Sequence, residues 1–263
     1  MLINVCFKGK NIIKSSTIYV LLLLTIIIPH KVIFADDLYV GVASNFIVPM
    51  NHIKRDFENK HQGKIFISSG SSGSLYSQII NGAPLDIFLS GDQKLPKKLE
   101  KNSKGINGTR FTYAIGKIKL FTTNSIFFNK KFPDILNSNK VQYIGIGNPL
   151  NVPYGLAAKE VLHSLDLFKT ISSKLILSKN INQVFLMSYF GNLDLAFVAK
   201  SDVINHNKKG KVWNIPENLY SPIKQDVILL DHGRKKGNAK LFLKFLSSNL
   251  IKEKIKKFGY MTD

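Results

Sequence analysis

Short apolar runs alternate with amphipathic segments along most of the chain. Leu38–Val42 is an apolar run suited to a buried strand, and Met50, Ile53 and Phe57 then recur at helical spacing, with Pro49 near the first turn where proline is tolerated. Lys64–Ile67 predicts a second strand. The polar stretch Ser68–Ser74 follows, then a helix carrying Leu75, Tyr76, Ile79 and Ile80, and a third strand at Leu85–Leu89. The same order returns later, with a strand at Tyr143–Ile146, a loop at Asn148–Tyr154 and a helix at Gly155–Leu165. A helix near Val184–Phe190 leads into a strand at Leu193–Val198. Strand, short polar loop and helix in repetition predict an α/β fold, with mostly parallel sheets covered on both faces.

Two further runs, Lys117–Phe121 and Val227–Leu230, are strand-like and could carry the chain between two lobes. A single C-terminal helix is expected over Ala239–Lys256, returning to the first lobe. With no long flexible linker in sight, two α/β lobes sharing a cleft fit better than two independent domains. The expected division is lobe one over 36–117, lobe two over 118–224 and a return to lobe one over 225–263.

Residues 1–35 read as an address. Lys8, Lys10 and Lys14 precede an apolar run over 18–28, and Val32-Ile33-Phe34-Ala35 comes before Asp36-Asp37. A positive start, a short apolar run and a small residue make a secretory signal peptide with the cut expected after Ala35. The run is too short to span a bilayer, which takes about 20 apolar residues. The single cysteine, Cys6, precedes that run, so neither a disulfide framework nor a lipid anchor on a following cysteine is expected. A soluble periplasmic product is the expectation, with any membrane role exercised through a partner.

Composition changes the picture less than its size suggests. The 263 residues carry 37 Lys+Arg against 17 Asp+Glu, a formal net charge of +20, and removal of 1–35 would leave +16. Only Arg55, Arg110 and Arg234 are arginines, whereas phosphate and base-edge recognition favours Arg's planar fork. No zinc-finger spacing or RNA-recognition signature is present, so a solvated lysine surface, not a nucleic-acid footprint, is expected. The six histidines (30, 52, 61, 163, 206, 232) show no metal-ligand spacing, and Asp86 and Asp92 read as structural, one in a strand and one capping a helix.

The candidate chemistry lies in the loops after strands, where open α/β sheets bind ligands. Ala43-Ser44-Asn45, Gly70-Ser71-Ser72-Gly73 and Asn151-Val152-Pro153-Tyr154-Gly155 supply hydroxyls, an amide and backbone N–H groups, with no charged side chain. A neutral, donor-rich lining suits a fully deprotonated oxyanion, whose lost hydration must be replaced by hydrogen bonds. The alternative is plain turns and helix caps. The second loop lacks the Gly-Lys-Ser/Thr of a Walker loop, it is not a nucleophile elbow because position 74 is Ser, and Ser221-Pro222-Ile223-Lys224 opens no helix.

Taken together the segments VASNF (42–46), SSGSSGSLYSQIINGAPLDIFLSGD (68–92), RFTYAIGKIKLF (110–121), GNPLNVPYGLAAKEVL (147–162), LAFVAKSDV (195–203) and SPIKQDVILL (221–230) are similar to the periplasmic molybdate-binding proteins of bacterial ABC importers. The resemblance implies a two-lobed type II periplasmic binding protein fold and a non-enzymatic role: binding molybdate, with tungstate accepted beside it, and delivering it to a membrane permease served by a separate ATPase subunit. It implies that Ser44 and Asn45 donate side-chain and backbone hydrogen bonds, that Ser72 donates its hydroxyl beside Ser71, and that Tyr154 donates its phenol. Ile181, opening the helix after Ser178-Lys179-Asn180, would contribute its backbone N–H. Some members place a tyrosine at the position of Ala199 and alanine in the Pro-x-Gly loop; here the two are exchanged, so Ala199 is not assigned to the site. No cofactor beyond the anion, no metal cation and no catalytic residue is implied, and a monomer is the default for a shuttling binding protein. The alternatives are a type II binder for sulfate, phosphonate or a metal ion, or an exported serine hydrolase using Ser72 or Ser71, for which no histidine base can be placed.

Overall fold

Each run read as a strand in the sequence becomes one, and the strands assemble into two separate sheets. The computed structural model describes residues 36–206 and 210–262; the signal segment and the cut after Ala35 lie outside the described residues. In lobe one the strands β1 (Leu38–Ala43), β2 (Ile65–Gly70), β3 (Ile87–Leu89), β4 (Phe111–Gly116) and β10 (Ile223–Leu229) form a sheet in the order β2-β1-β3-β10-β4. In lobe two β5 (Ile118–Thr122), β6 (Ile144–Gly147), β7 (Leu175–Ser178), β8 (Leu195–Ala199) and β9 (Lys211–Asn214) are ordered β7-β6-β8-β5-β9.

Both sheets are mixed, and the exceptions have one cause. β10 runs antiparallel to β3 and β4, and β5 runs antiparallel to β8 and β9, while the remaining pairs are parallel. The chain leaves lobe one at Lys117, between β4 and β5, and comes back between β9 and β10. A strand that has just crossed starts at the seam between the lobes, so it must run against the strands that end there. The ends of β1, β2, β3, β6, β7 and β8 therefore all face the seam.

The helices cover the sheets as the apolar spacing requires. Phe46, Met50, Ile53 and Phe57, on α1 (Ile47–Glu58) and the turn before it, are fully buried against Leu38, Val40 and Val42 of β1. Each such side chain contributes roughly 1.5–3 kcal/mol on burial, so this stripe dominates the docking of α1. On the opposite face, Leu75 and Ile79 of α2 (Ser72–Ile80) and Leu99 of α3 (Lys94–Lys101) pack with Leu85 and Phe88. Lobe two has one continuous core, built on α4 (Pro153–Ser164), α5 (Phe168–Ile171), α6 (Ile181–Tyr189) and its own sheet. The short α7 (Lys200–Asn205) follows β8 directly.

Three local expectations differ. The C-terminal helix is two helices, α8 (Gly237–Leu246) and α9 (Asn249–Lys257), both packed into the lobe-one core. Ser247 and Ser248 separate them, each hydroxyl donating to a carbonyl three residues earlier, at 3.0 and 2.7 Å, a bond that competes with helix continuation. α4 begins two residues before the expected start, with Pro153 in its first turn where no N–H is needed, so Tyr154 sits on a helix and not in a loop. Asp86 immediately precedes β3, whereas Asp92 accepts from Leu95 N–H at 2.8 Å, the capping bond its position implied.

Candidate functional site

The seam gathers donors from four strand ends. After β1 the chain makes a single 3₁₀ turn, Ser44–Phe46, which packs against α6 and α7 of lobe two. Ser44 Oγ makes no hydrogen bond to the described residues, although the residue is buried. Asn45 is held tightly: its Nδ2 donates to Gln225 Oε1 at 2.8 Å and to Tyr260 Oη at 3.1 Å, and its carbonyl accepts from Tyr260 Oη at 2.7 Å. Both side-chain hydrogens of Asn45 are thus directed within the protein.

After β2, Ser71 and Ser72 take different tasks. Ser71 is the N-cap of α2, its Oγ accepting from Ser74 N–H at 3.2 Å. Ser72 Oγ accepts from Gly91 N–H at 2.8 Å, which leaves its own hydroxyl hydrogen available to a ligand. A Cβ placed on Gly91 would lie 3.2 Å from Ser72 Oγ and 3.3 Å from Asn45 Oδ1, so those two side chains converge on this glycine.

Tyr154 comes from lobe two, in the first turn of α4, and is 1% exposed. Its phenol oxygen accepts from Gln225 Nε2 at 3.2 Å, and its hydroxyl is hydrogen-bonded to that of Tyr260, so its O–H reaches a ligand by turning away from Tyr260. Burial, reinforced by Tyr260, Asp202 and Tyr113 nearby, pushes its pKa well above the usual tyrosine value, so the phenol keeps its proton at any physiological pH. Gly116, the last residue before the crossing, makes room for this phenol, because a Cβ there would fall 2.0 Å from Tyr154 Oη. Ile181 opens α6 and is buried; Asn180 caps that helix by accepting from Gln183 N–H at 3.0 Å. Ala199 ends β8 and carries no side-chain donor.

The lobes are latched beside these residues. Gly73 N–H of lobe one donates to the carbonyl of Asn151 in lobe two at 3.0 Å. A Cβ at Gly73 would stand 2.7 Å from Asn151 Oδ1 and 2.9 Å from its Cα. A crevice of about 180 Å³ between the lobes includes both Gly91 and Pro153 in its lining. A larger hollow of about 750 Å³ lies on lobe one around Ile106, Phe111 and Lys240 and touches none of the five candidates.

Sequence reasoning missed the residue that ties the set together. Gln225 is fully buried on β10 at a register shift, receives Asn45 through Oε1 and holds Tyr154 through Nε2. Tyr113 Oη lies 3.2 Å from Gln225 Oε1 and 3.0 Å from the Ser90 carbonyl, and Tyr260 Oη lies 2.9 Å from Ser201 Oγ. A polar residue inside the otherwise apolar run to Leu230 was the available signal for Gln225. Tyr113 and Tyr260 carried none. Among the described residues no group of three or more His, Cys, Asp or Glu is placed to hold a metal ion.

Two lobes joined by paired crossings, with uncharged hydrogen-bond donors from both meeting at the seam, define a two-lobed solute-binding protein. The comparisons agree with that class. The chain matches the family model "Bacterial extracellular solute-binding protein" over residues 38–261, and it belongs to that family. It is 38% identical to the molybdate-binding protein ModA of Azotobacter vinelandii over 86% of this chain and 90% of that one. With the molybdate-binding protein ModA of Rhodobacter capsulatus it shares 36% identity over 87% and 90% of the two chains. The solved periplasmic molybdate-binding protein of Azotobacter vinelandii superimposes with a TM-score of 0.82 at 33% identity, covering 86% of this chain and all of that one.

Proposed function

We propose that this protein is an exported, non-enzymatic receptor that binds molybdate or tungstate between its lobes and delivers the anion to the permease of an ABC importer, whose ATPase is a separate chain. The observation that carries the reading is the chemistry of the seam: Ser44 and Ser72 have hydroxyl hydrogens to give, Tyr154 brings a phenol that can turn from Tyr260 to a ligand, and none of the five candidates carries a charge. The names of the two relatives above 35% identity point to the same anion.

Ser44, Ser72 and the main chain at Asn45 serve from lobe one, Tyr154 and the Ile181 N–H from lobe two. Neither half is a complete donor set, so the anion favours the closed form that brings them together. A hydrogen bond to a charged acceptor contributes about 1.5–3 kcal/mol, enough for a handful of them to offset the dianion's lost hydration. Size and the lack of a carboxylate acceptor among the donors would disfavour smaller sulfate and protonated phosphate. In a thermal-shift series, micromolar molybdate and tungstate should raise the melting temperature and sulfate, phosphate and ferric iron should not. A shift with sulfate or iron alone would assign a different ligand.

A further inference from the structure

One buried ionisable group stands next to this site without a task. Asp202 lies in α7, directly after the end of β8, and is 3% exposed. Asn182 of α6 and the Ala199 backbone hydrogen-bond its carboxyl, but Oδ2 has no partner among the described residues. No ion pair reaches it among the described residues. Lys200, two residues away, is grouped with Lys117 and Lys119 near Glu217, and the His206 ring contacts only the main-chain oxygen of Asp202, at 2.9 Å.

Lobe one closes over α7. The Ser44–Phe46 turn packs on it, and Ser201 Oγ lies 3.3 Å from the Asn45 carbonyl and 2.9 Å from Tyr260 Oη. The C-terminal tail comes so near that a Cβ on Gly259 would fall 2.5 Å from Ile204 Cδ1. The groups facing the carboxyl are therefore Asn182 from α6, Tyr154 from α4 and Tyr260 from the tail, none of them cationic. Burial, only partly offset by the hydrogen bonds from Asn182 and the Ala199 backbone, raises its pKa from the usual carboxylate range to about 7. Asp202 and the Tyr154 phenol are also close enough that the carboxylate's charge acts on the phenol.

We propose that Asp202 takes up a proton from solvent when the oxyanion binds, so that anion capture is linked to pH through this single buried carboxyl. The inference rests on the molybdate reading above. A dianion held by Tyr154 adds two negative charges near a carboxylate that already lacks a counter-ion, and protonation removes the repulsion. One O–H bond forms on Asp202, the proton comes from the buffer, and the anion stays fully deprotonated. Asp202 acts as a positioning residue: neutral, it lets the closed seam accept the anion; ionised, it opposes it.

Calorimetry of molybdate binding at pH 8, in two buffers of different ionisation enthalpy, reads the proton directly. The heats should differ by an amount corresponding to uptake of a third to one proton per anion. Affinity should fall by up to tenfold per pH unit above pH 7. Asp202→Asn should show no buffer dependence and an affinity flat with pH. Molybdate binding without proton uptake in the wild-type protein, or uptake that persists in Asp202→Asn, overturns the inference. If molybdate gives no heat at all, the molybdate reading fails, and Asp202 is tested alone by the denaturant stability of the unliganded protein. The folded state then holds a proton between pH 4 and 7 that the unfolded chain has released, so wild-type stability should decline across that range relative to Asp202→Asn. Parallel profiles overturn the assignment.

Discussion

The two lobes bury their carboxylates on opposite terms. In lobe one, Asp226 is fully buried yet surrounded by donors: Arg110 at 2.6 Å, Thr112 at 2.7 Å and Gln93 at 3.1 Å. Asp86, equally buried, pairs with His232 and Lys236 and accepts the N–H of Tyr39 at 2.8 Å. In lobe two, Asp202 has an amide and a main-chain group but no cation, and one oxygen is left over. A carboxylate whose lone pairs are all occupied by its own lobe is part of the scaffold. One left short of partners, beside a seam that another lobe closes, is where solvent protons and a bound ion can still act. Burial is the same in all three cases; what differs is whether partners were supplied.

The largest test of this contrast is Asp226→Ala. Removing the buried carboxylate takes an acceptor from Thr112 and Gln93, while Arg110, 28% exposed, keeps Glu100, so about 1.5–3 kcal/mol of folding stability should be lost in denaturant titrations. The anion affinity of the protein that remains folded should change little; an unchanged midpoint would mean that lobe one does not depend on the pair. Tyr154→Phe should do the reverse, weakening molybdate binding by about 1–3 kcal/mol while shifting stability less, because it deletes a donor to the ligand. If calorimetry shows equal affinity, Tyr154 leaves the site. Gly73→Ala is expected to have the smallest effect, a loss of about 1–2 kcal/mol in affinity with unliganded stability unaltered, since its methyl group meets Asn151 only when the lobes are latched. A matching fall in the stability of the unliganded protein would show that the latch belongs to the fold rather than to capture.

How much of this could be read beforehand follows distance along the chain. β1, β3 and α1 were legible because each is specified by its own apolar spacing. Ser44, Asn45 and Ser72 could be placed at strand ends because such loops are local features, whereas Tyr154 was read into a loop and lies in the first turn of α4. The strands β7 and β9 were not legible, since the exposed edges of a sheet lack a strong apolar signal: Leu177 of β7 is largely exposed, and β9 buries only Trp213. Those loops hold no carboxylate, yet Asp202 enters from a fifth strand end, three residues beyond Ala199 at the end of β8. Gln225 and Tyr260, 180 and 215 residues from Asn45, reach it only after two crossings between lobes.

The amino-acid order by itself determined where the strongly apolar strands and the amphipathic helices begin, and which loops offer neutral donors. Those properties depend on neighbours within a turn or two, where periodicity and side-chain chemistry act directly. Tertiary structure alone decided which hydroxyls keep a hydrogen to give, which carboxylates are answered by cations, and that Gln225 should join Asn45 to Tyr154. Hydrogen-bond supply is a property of what surrounds a group, and at the seam most of those surroundings arrive from the other end of the chain.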